Sequence, residues 1–215
     1  MPVHAFLVEH PKGLVLFDAG QTVRAAEPGW FPRWHPFFRL SRFELEEGDE
    51  VAQQIRAQGI ETADVRFVIL SHLHTDHVGG LAPFDQATVL VSRLEWTRAT
   101  GVSGLIRGYL PQHWPSGLAP TLVDFTGPSL GPFSASFDVI GDGSLLLVPT
   151  PGHTAGHAAL LVRGSRGSWL LAGDMAHSAS ELAATDPGIA AWCETEAIAI
   201  LAAHDSRLTT AIATA

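Results

Sequence analysis

Three histidines and one aspartate lie within the six residues 72–77, whose letters read HLHTDH. Neutral imidazoles and carboxylates are the ligands that zinc and other borderline divalent metals prefer. Side chains alternate along an extended backbone, so His72 and His74 should point to the same side. As the loop turns toward the glycines that follow, Asp76 and His77 can face a second point nearby. The segment therefore predicts a metal site, and one loop could contribute ligands to two ions.

A buried strand is predicted to position this loop. The apolar run 65–70 directly precedes it, is rich in β-branched and aromatic residues, and is too short for a buried helix. Two later runs end in the same way. The predicted strand 145–148 leads to His153 in the segment PGHTAGH, and the predicted strand 168–171 leads to Asp174. A ligand-type residue therefore follows each of three strands.

The chain is predicted to begin with a hairpin of strands 3–9 and 14–17, which ends at Asp18. Asp18 either orients a metal-binding histidine or is an aspartate of the turn itself. The remaining segments predict helices at 49–58 and after a capping Ser92, and strands at 88–91, 121–125, 137–140 and 158–163. The segment 194–203 fits either a strand or a helix, and it is followed by His204.

Two long segments carry many aromatic residues and show no helical or strand period. Residues 21–47 contain six aromatic rings between prolines, and residues 101–120 contain Tyr109, His113 and Trp114 among glycines and prolines. Long loops of this kind often act as lids or binding loops. The alternative is that the rings only cover the edge of the core. We interpret His113 as a packing or surface residue and not as a metal ligand.

The composition limits the classes of function. The net charge is −9, and only one of the 13 basic residues is a lysine, Lys12, so nucleic acid is a poor electrostatic partner. The single cysteine, Cys193, excludes an internal disulfide. The sequence shows no signal-peptide pattern, and no apolar run approaches the ~18 residues of a membrane span. The expectation is a cytoplasmic protein of one domain, residues 1–215.

Taken together, the ligand-type residues and their order resemble the metallo-β-lactamase superfamily. The resemblance is carried by HLHTDH (72–77), PGHTAGH (151–157), Gly173-Asp174 and the early segment LVLFDAG (14–20), and it covers residues 3–175. The opening LVEHPKG and the form SHLHTDHVGG are most similar to the N-acyl homoserine lactonases, which are quorum-quenching lactonases. The resemblance implies an α+β fold, a four-layer αβ/βα sandwich of two mostly antiparallel sheets with helices outside.

The resemblance also implies two zinc ions and their ligands. The first ion would be held by His72, His74 and His153, and the second by Asp76, His77 and a late histidine, for which His204 is the candidate. Asp174 would bridge the two ions. Relatives usually place a full helix and a strand before the late histidine. Only 29 residues separate Asp174 from His204, so the C-terminal region looks shortened, with its helix missing or reduced to 179–184.

The implied reaction is opening of a lactone ring, by attack of a metal-bridging hydroxide on the carbonyl carbon. Asp76 and His177 are the predicted catalytic residues. His177 stands where homoserine lactonases commonly carry a tyrosine, and an imidazole could stabilise the oxyanion or protonate the leaving group. His157 is assigned to structure. The aromatic loops would accept a hydrophobic acyl chain, and homodimerisation is left open.

Two alternatives remain at this point. The first is another hydrolase with the same ligands, either a thioesterase of the glyoxalase II type or a β-lactamase-like enzyme. The second is a metal-binding but inactive protein, if the shortened C-terminal region has cost the chain its second metal. Hydrolysis by a metal-bound hydroxide needs no serine or cysteine nucleophile. Cys193 is also an unsuitable nucleophile, since it has no basic neighbour to activate it.

Overall fold

The computed structural model describes residues 1–208 and 213–214. The strands in this part of the chain are β1 (Phe6–Glu9), β2 (Leu14–Phe17), β3 (Val65–Ile69), β4 (Thr88–Ser92), β5 (Thr121–Val123), β6 (Phe137–Asp138), β7 (Leu145–Pro149), β8 (Ala158–Gly164), β9 (Gly167–Gly173), β10 (Ile198–Ala202) and β11 (Ala213–Thr214). The α-helices are α1 (Pro36–Leu40), α2 (Val51–Ala57), α3 (Thr75–Val78), α4 (Arg93–Thr100), α5 (Ala179–Thr185) and α6 (Pro187–Thr195). Among these residues, no helix is long and apolar enough to cross a membrane.

The strands form two sheets, in the orders β11-β1-β2-β3-β4-β5 and β10-β9-β8-β7-β6. In the second sheet only β9 and β10 pair in parallel, as expected for a mostly antiparallel sheet. The first sheet differs from the prediction, because every neighbouring pair except β1–β2 is parallel. Long connections that contain helices return the chain to the same end of this sheet, whereas short turns produce the antiparallel pairs.

Both sheets are covered on both faces, which produces the predicted four layers. In β2, Val15 and Phe17 face the second sheet, while Leu16 packs with Ala52 and Ile55 of α2 on the outer face. This division follows the two-residue period of a strand. In the second sheet, alternate residues of β8 pack against the first sheet or beneath α5 and α6. Strands buried on both faces must be apolar along their buried length. β2 (LVLF) and the first five residues of β8 (AALLV) follow this rule, and the charged Arg163 of β8 is exposed.

The prediction that the helix before His204 is missing or reduced to 179–184 is wrong, because a second helix follows the one that covers 179–184. The 29 residues after Asp174 contain both α5 and α6, and then β10, which delivers the chain to His204. The turn between the helices needs no loop. Asp186 ends α5, and its side chain accepts a hydrogen bond from the backbone N–H of Ile189 in the first turn of α6. Pro187 provides a favoured first residue for that helix.

The two aromatic segments are not featureless loops. The first, residues 21–47, contains α1, and the second, residues 101–120, contains two short 3₁₀ turns. The segments pack on each other. The rings of Trp30 and His113 are stacked with centroids 4.0 Å apart, and His35 Nε2 lies 3.1 Å from the carbonyl oxygen of Ile106. His113 is therefore a packing residue, as predicted.

Candidate metal centre

The ligand-type residues meet at one edge of the sandwich, where five strands end. Asp18 follows β2, and the loop 71–77 follows β3 in the first sheet. In the second sheet, the loop with His153 follows β7, Asp174 follows β9, and His204 lies two residues after β10. These strands run in the same direction within each sheet, so their carboxyl ends bring residues from distant parts of the sequence together.

The first ligand group consists of His72, His74 and His153. One nitrogen from each of these imidazoles lies within 4.8 Å of the other two. His74 Nδ1 lies 3.1 Å from His72 Nε2 and 3.0 Å from His153 Nε2. Nitrogen atoms that share a tetrahedral zinc at about 2.0–2.1 Å are roughly 3.3 Å apart. The spacing therefore suits a single ion among the three rings.

The second ligand group consists of Asp76, His77 and His204, whose ligand atoms also lie within 4.8 Å of one another. Asp76 Oδ2 lies 3.9 Å from His77 Nε2 and 3.8 Å from His204 Nε2. His77 is fully buried and the side chain of His204 is only 4% exposed. The structure thus places His204, the residue most distant in the sequence, beside the histidine loop.

Asp174 lies between the two ligand groups, and its Oδ2 is close to members of both, since His204 Nε2 is 3.3 Å from this oxygen as well. Its Oδ1 is 3.1 Å from both His77 Nε2 and His204 Nε2. Its Oδ2 is 3.4 Å from His153 Nε2 and 3.9 Å from His72 Nε2. This is the arrangement expected of a carboxylate shared by two cations.

Hydrogen bonds on the far side of each imidazole test whether these residues fit a metal. His74 Nε2 must donate to the carbonyl oxygen of Arg107 at 3.1 Å, and His204 Nδ1 must donate to that of Pro2 at 2.7 Å. His77 Nδ1 lies 2.8 Å from Asp18 Oδ2. In the neutral form of each ring, the other nitrogen has its lone pair and faces the cluster, as metal-binding histidines do. Five buried side-chain atoms of the described residues have no hydrogen-bond partner, and two of them, His77 Nε2 and Asp174 Oδ1, lie in this cluster. The donor set fits divalent metals.

Asp18 orients histidines of both ligand groups. Besides His77, it accepts hydrogen bonds from the backbone N–H and the hydroxyl of Ser71, at 2.7 and 2.8 Å. The Ser71 hydroxyl oxygen lies 3.0 Å from His72 Nδ1 and is free to accept its proton. Asp18 adopts a left-handed φ of 61°, which is uncommon outside glycine and typical of constrained positions. The structure favours an orienting role for Asp18 over the simple turn aspartate.

His157 supports the cluster from below, in agreement with its assignment to structure. Its Nε2 accepts a hydrogen bond from the backbone N–H of Asp174 at 3.1 Å, and its Nδ1 lies 2.7 Å from the Thr150 hydroxyl. Burial lowers the pKa of His157 to about 3, so the ring is neutral. Gly173 packs on the same ring, and a Cβ there would lie 2.8 Å from His157 Nε2.

Burial dominates the electrostatics of the first ligand group. It lowers the pKa of His72 well below its usual value, and it lowers the pKa of His74 to about 4, with neighbouring histidines adding to the effect. Burial also lowers the pKa of His153. Neutral imidazoles, which bind metals, are therefore the favoured form of this group near neutral pH.

Carboxylates dominate the second ligand group. Burial opposes the charge of His77, but Asp18, Asp174 and Asp76 together raise its pKa well above the usual value. Burial also opposes the charge of His204, and Asp174 outweighs it and raises the pKa. In turn, burial works against the charge of Asp174, but His77 and the hydrogen bond from His204 hold its pKa far below normal. The carboxylates of the second ligand group therefore stabilise positive charge.

His177 lies at the rim of the second ligand group. Its ring centroid is 5.5 Å from that of His204, and its side chain is 54% exposed. Its Nδ1 lies 2.9 Å from Glu181, which also accepts a hydrogen bond from the His177 backbone N–H. Cys193, in contrast, is buried in α6, and burial raises the pKa of its thiol to about 11, which agrees with its exclusion as a nucleophile.

Several residues of the site escaped the sequence analysis. They are Ser71, the Pro2 carbonyl, Glu181 and Glu95, which is fully buried between the ligand loops. The capping pattern offered a signal for Glu181, because Ser178 and Glu181 bracket the first turn of α5. No local pattern pointed to Glu95 or Pro2.

An αβ/βα sandwich with a carboxylate-bridged cluster of histidines at its edge defines a class of metal-binding proteins. The comparison with known families agrees: the model described as "Metallo-beta-lactamase superfamily" matches residues 1–208. The chain belongs to the metallo-β-lactamase superfamily.

Curated relatives include proteins named N-acyl homoserine lactonase AttM. Those from Azorhizobium caulinodans and Rhizobium radiobacter are 34% and 35% identical to the chain over 171 residues, which are 76% of this chain and 60% of each relative. A probable metallo-hydrolase of Mycobacterium tuberculosis is 36% identical over 167 residues, 74% of this chain and 52% of that protein. The chain spans about three fifths of the length of the lactonase relatives.

Similar structures confirm the fold. A Bacillus thuringiensis AiiA variant, with N-decanoyl-L-homoserine bound at its active site, superimposes with a TM-score of 0.72 at 22% identity. The match covers 95% of this chain and 82% of AiiA. An N-acyl homoserine lactone hydrolase, with N-hexanoyl-L-homoserine at its catalytic metal centre, gives a TM-score of 0.69 at 21% identity, covering 93% and 80% of the chains.

Proposed function

We propose that this chain is a zinc-dependent hydrolase that opens the ring of N-acyl homoserine lactones, an activity that would make it a quorum-quenching enzyme. The observation that carries the proposal is the position of Asp174, whose two oxygens face two complete groups of ligand-type residues. The names of the relatives supply the choice of lactones over other substrates.

We assign one zinc ion to the first ligand group and a second to the second ligand group, with Asp174 shared. Imidazole and carboxylate ligands without thiolates suit zinc. When bound, two such ions supply hydroxide near neutral pH and positive charge for a carbonyl oxygen. The histidines of the first ligand group are already neutral. Asp18 orients His77 directly, and it orients His72 through the hydroxyl of Ser71.

His177 is the proposed proton donor. Ring opening converts the ring oxygen of a lactone into an alkoxide, which needs a proton in order to leave. The imidazole of His177 is half-exposed beside the second ligand group, and Glu181 anchors its Nδ1. This anchoring holds the ring in place and leaves Nε2 to exchange a proton with substrate. Asp76, at the mouth of the same group, completes the proposed catalytic set.

We propose that the aromatic loops form the surface that binds the acyl chain. Their apolar side chains Trp34, Phe37 and Ile106 are all more than half-exposed, and exposed apolar residues that form a continuous patch often mark a binding surface. The loop 101–110 also touches the first ligand group, because Arg107 accepts a hydrogen bond from His74 and the ring of Tyr109 lies 5.0 Å from that of His74. Apolar surface therefore adjoins the candidate metal centre.

The test is a substrate panel measured together with the metal content. Lactones with short and long acyl chains would be compared with a glutathione thioester and a β-lactam, with proton release as the measure of ring opening. We expect about two zinc ions per chain and turnover of the lactones. Cleavage of the thioester or β-lactam alone would reject the lactonase assignment. Metal binding without turnover of any substrate would favour the inactive metal-binding protein.

A further inference from the structure

Glu95 is a fully buried carboxylate in the first turn of α4, outside the set of residues that face the metal centre. Its neighbour Leu94 is 46% exposed. The helix thus turns a charged side chain inward and an apolar one outward, against the usual preference. Burying a carboxylate is costly unless hydrogen bonds compensate for its lost hydration, so its partners identify what it does.

Glu95 receives hydrogen bonds from both loops of the first ligand group. Its Oε1 accepts from the backbone N–H of Leu73 at 3.0 Å, and Leu73 lies between His72 and His74. Its Oε2 accepts from the hydroxyl of Thr154 at 2.7 Å, directly after His153. One carboxylate therefore joins the two segments that carry the three histidines.

Two further polar groups stabilise the charge of Glu95. Burial raises the pKa of the Glu95 carboxyl, and the nearby backbone N–H of Gly156 and hydroxyl of Tyr109 are among the groups that oppose this shift. Tyr109 lies on the aromatic loop 101–120, and its backbone forms a bridge with that of His74. The carboxylate consequently contacts three separate segments of the chain and has no direct contact with the second ligand group among its hydrogen bonds.

Glu95 also accounts for residues of the segment PGHTAGH that do not face the metal centre. A Cβ at Gly156 would lie 2.1 Å from the Glu95 backbone nitrogen and 2.4 Å from its Cα, so only glycine allows α4 to approach this closely. Thr154 supplies the hydroxyl that the carboxylate requires. Thr154 and Gly156 therefore both serve to accommodate Glu95 beside the ligand loops.

We propose that Glu95 is the positioning residue that sets the distance between the His72–His74 loop and the His153 loop, and so determines the metal affinity of the first ligand group. Without the carboxylate, the Leu73 N–H and the Thr154 hydroxyl lose their shared partner. Asp174 also lies close to both loops, but it faces the imidazoles of His72 and His153 and not the groups behind them. The inference rests on the metal-binding part of the proposed function and not on the choice of substrate.

The experiment is a zinc titration of the full chain against a chromophoric chelator, for the unchanged protein and for Glu95→Ala. We expect the affinity for one zinc ion to fall about 10–100-fold, the range typical when a partner behind the ligands is removed. Glu95→Gln keeps an acceptor for Leu73 and an amide that can donate to Thr154, so a large part of the affinity should return.

The control separates positioning from general loss of stability. Leu145 is fully buried at the start of β7, at the opposite end of that strand from the ligand loop. Leu145→Ala should lower the melting temperature and leave the zinc affinities within about twofold. An unchanged affinity in Glu95→Ala, an equal loss in Leu145→Ala, or absence of zinc binding in the unchanged protein would overturn the proposal. No substrate is used, so failure of the lactonase assignment would not affect the result.

Discussion

The two ligand groups share one carboxylate but are built in different ways. The first depends on two loops that a buried glutamate joins, and it is partly open, since the side chain of His153 is 34% exposed. The second is more deeply buried, since its most exposed side chain, that of Asp76, is 23% exposed. Its last member, His204, is held by the carbonyl oxygen of Pro2 from the other end of the chain. A cluster of carboxylates surrounds the second group, whereas histidines surround the first. Equal ligand counts therefore do not imply equal metal sites.

The largest effect should come from removing the core of the first ligand group. His72→Ala combined with His74→Ala leaves only His153 of that group, and we expect loss of at least one zinc ion together with a fall in lactone hydrolysis of at least about 10³-fold, since the catalytic water would lose its activation. Metal analysis and kcat/KM measure the two effects. As the matching change in the second group, His204→Ala should remove one ion and leave the other bound. Retained zinc and rate in the double variant would contradict the site assignment.

His177 tests whether the second ligand group has a catalytic neighbour. His177→Phe should lower kcat about 100-fold, because general acid catalysis contributes on this order, and it should leave the zinc content unchanged. The control is His10→Phe at the opposite edge of the sheet, where His10 pairs with Asp142. If kcat in His177→Phe equals that of the unchanged protein, His177 is only a rim residue paired with Glu181.

Asp18 tests how far the two groups depend on each other. It contacts His77 directly and His72 through Ser71, so Asp18→Asn should weaken the binding of both ions, each by about 10–100-fold. Zinc titration measures this, and Asp124→Asn serves as the control because Asp124 is half-exposed and pairs with Arg93 on the surface. A loss confined to one ion would show that the Ser71 hydrogen bond does not transmit the effect.

The sequence predicted those features that depend on local periodicity and on the order of ligand residues. Strand β2 has the predicted bounds, and β3 and β7 differ from theirs by one residue. The seven predicted ligand residues all meet, although their roles as ligands remain a prediction. Side chains alternate between the two faces of a strand, so a strand that is covered on both faces has apolar residues at successive positions. A short apolar run is therefore enough to predict such a strand.

Contacts between distant segments could not be predicted from the sequence, because local residue patterns do not reveal which segments the fold brings together. Nothing in the order Leu94-Glu95 reveals that the glutamate is the buried member, because its hydrogen-bond donors, Leu73 and Thr154, come from two remote segments. The same applies to Pro2 and His204. The helix α6 is a different case, since Asp186 followed by Pro187 is a recognisable helix start that the prediction did not use.

The smallest and most specific difference between the groups should appear as pH dependence. Raised pKa values keep a proton on the second ligand group, and a metal ion must displace it. The affinity of the second group should therefore fall as the pH is lowered, by about tenfold per pH unit for each proton displaced. The pKa of His74 is about 4, and those of His72 and His153 are also lowered, so the first group is already neutral and its affinity should change little between pH 8 and pH 6.

Zinc titrations across this range, repeated with His204→Ala to remove the second ion, measure the two slopes separately. Equal slopes would show that the carboxylates do not distinguish the two groups, and the electrostatic contrast between them would then have no bearing on metal binding.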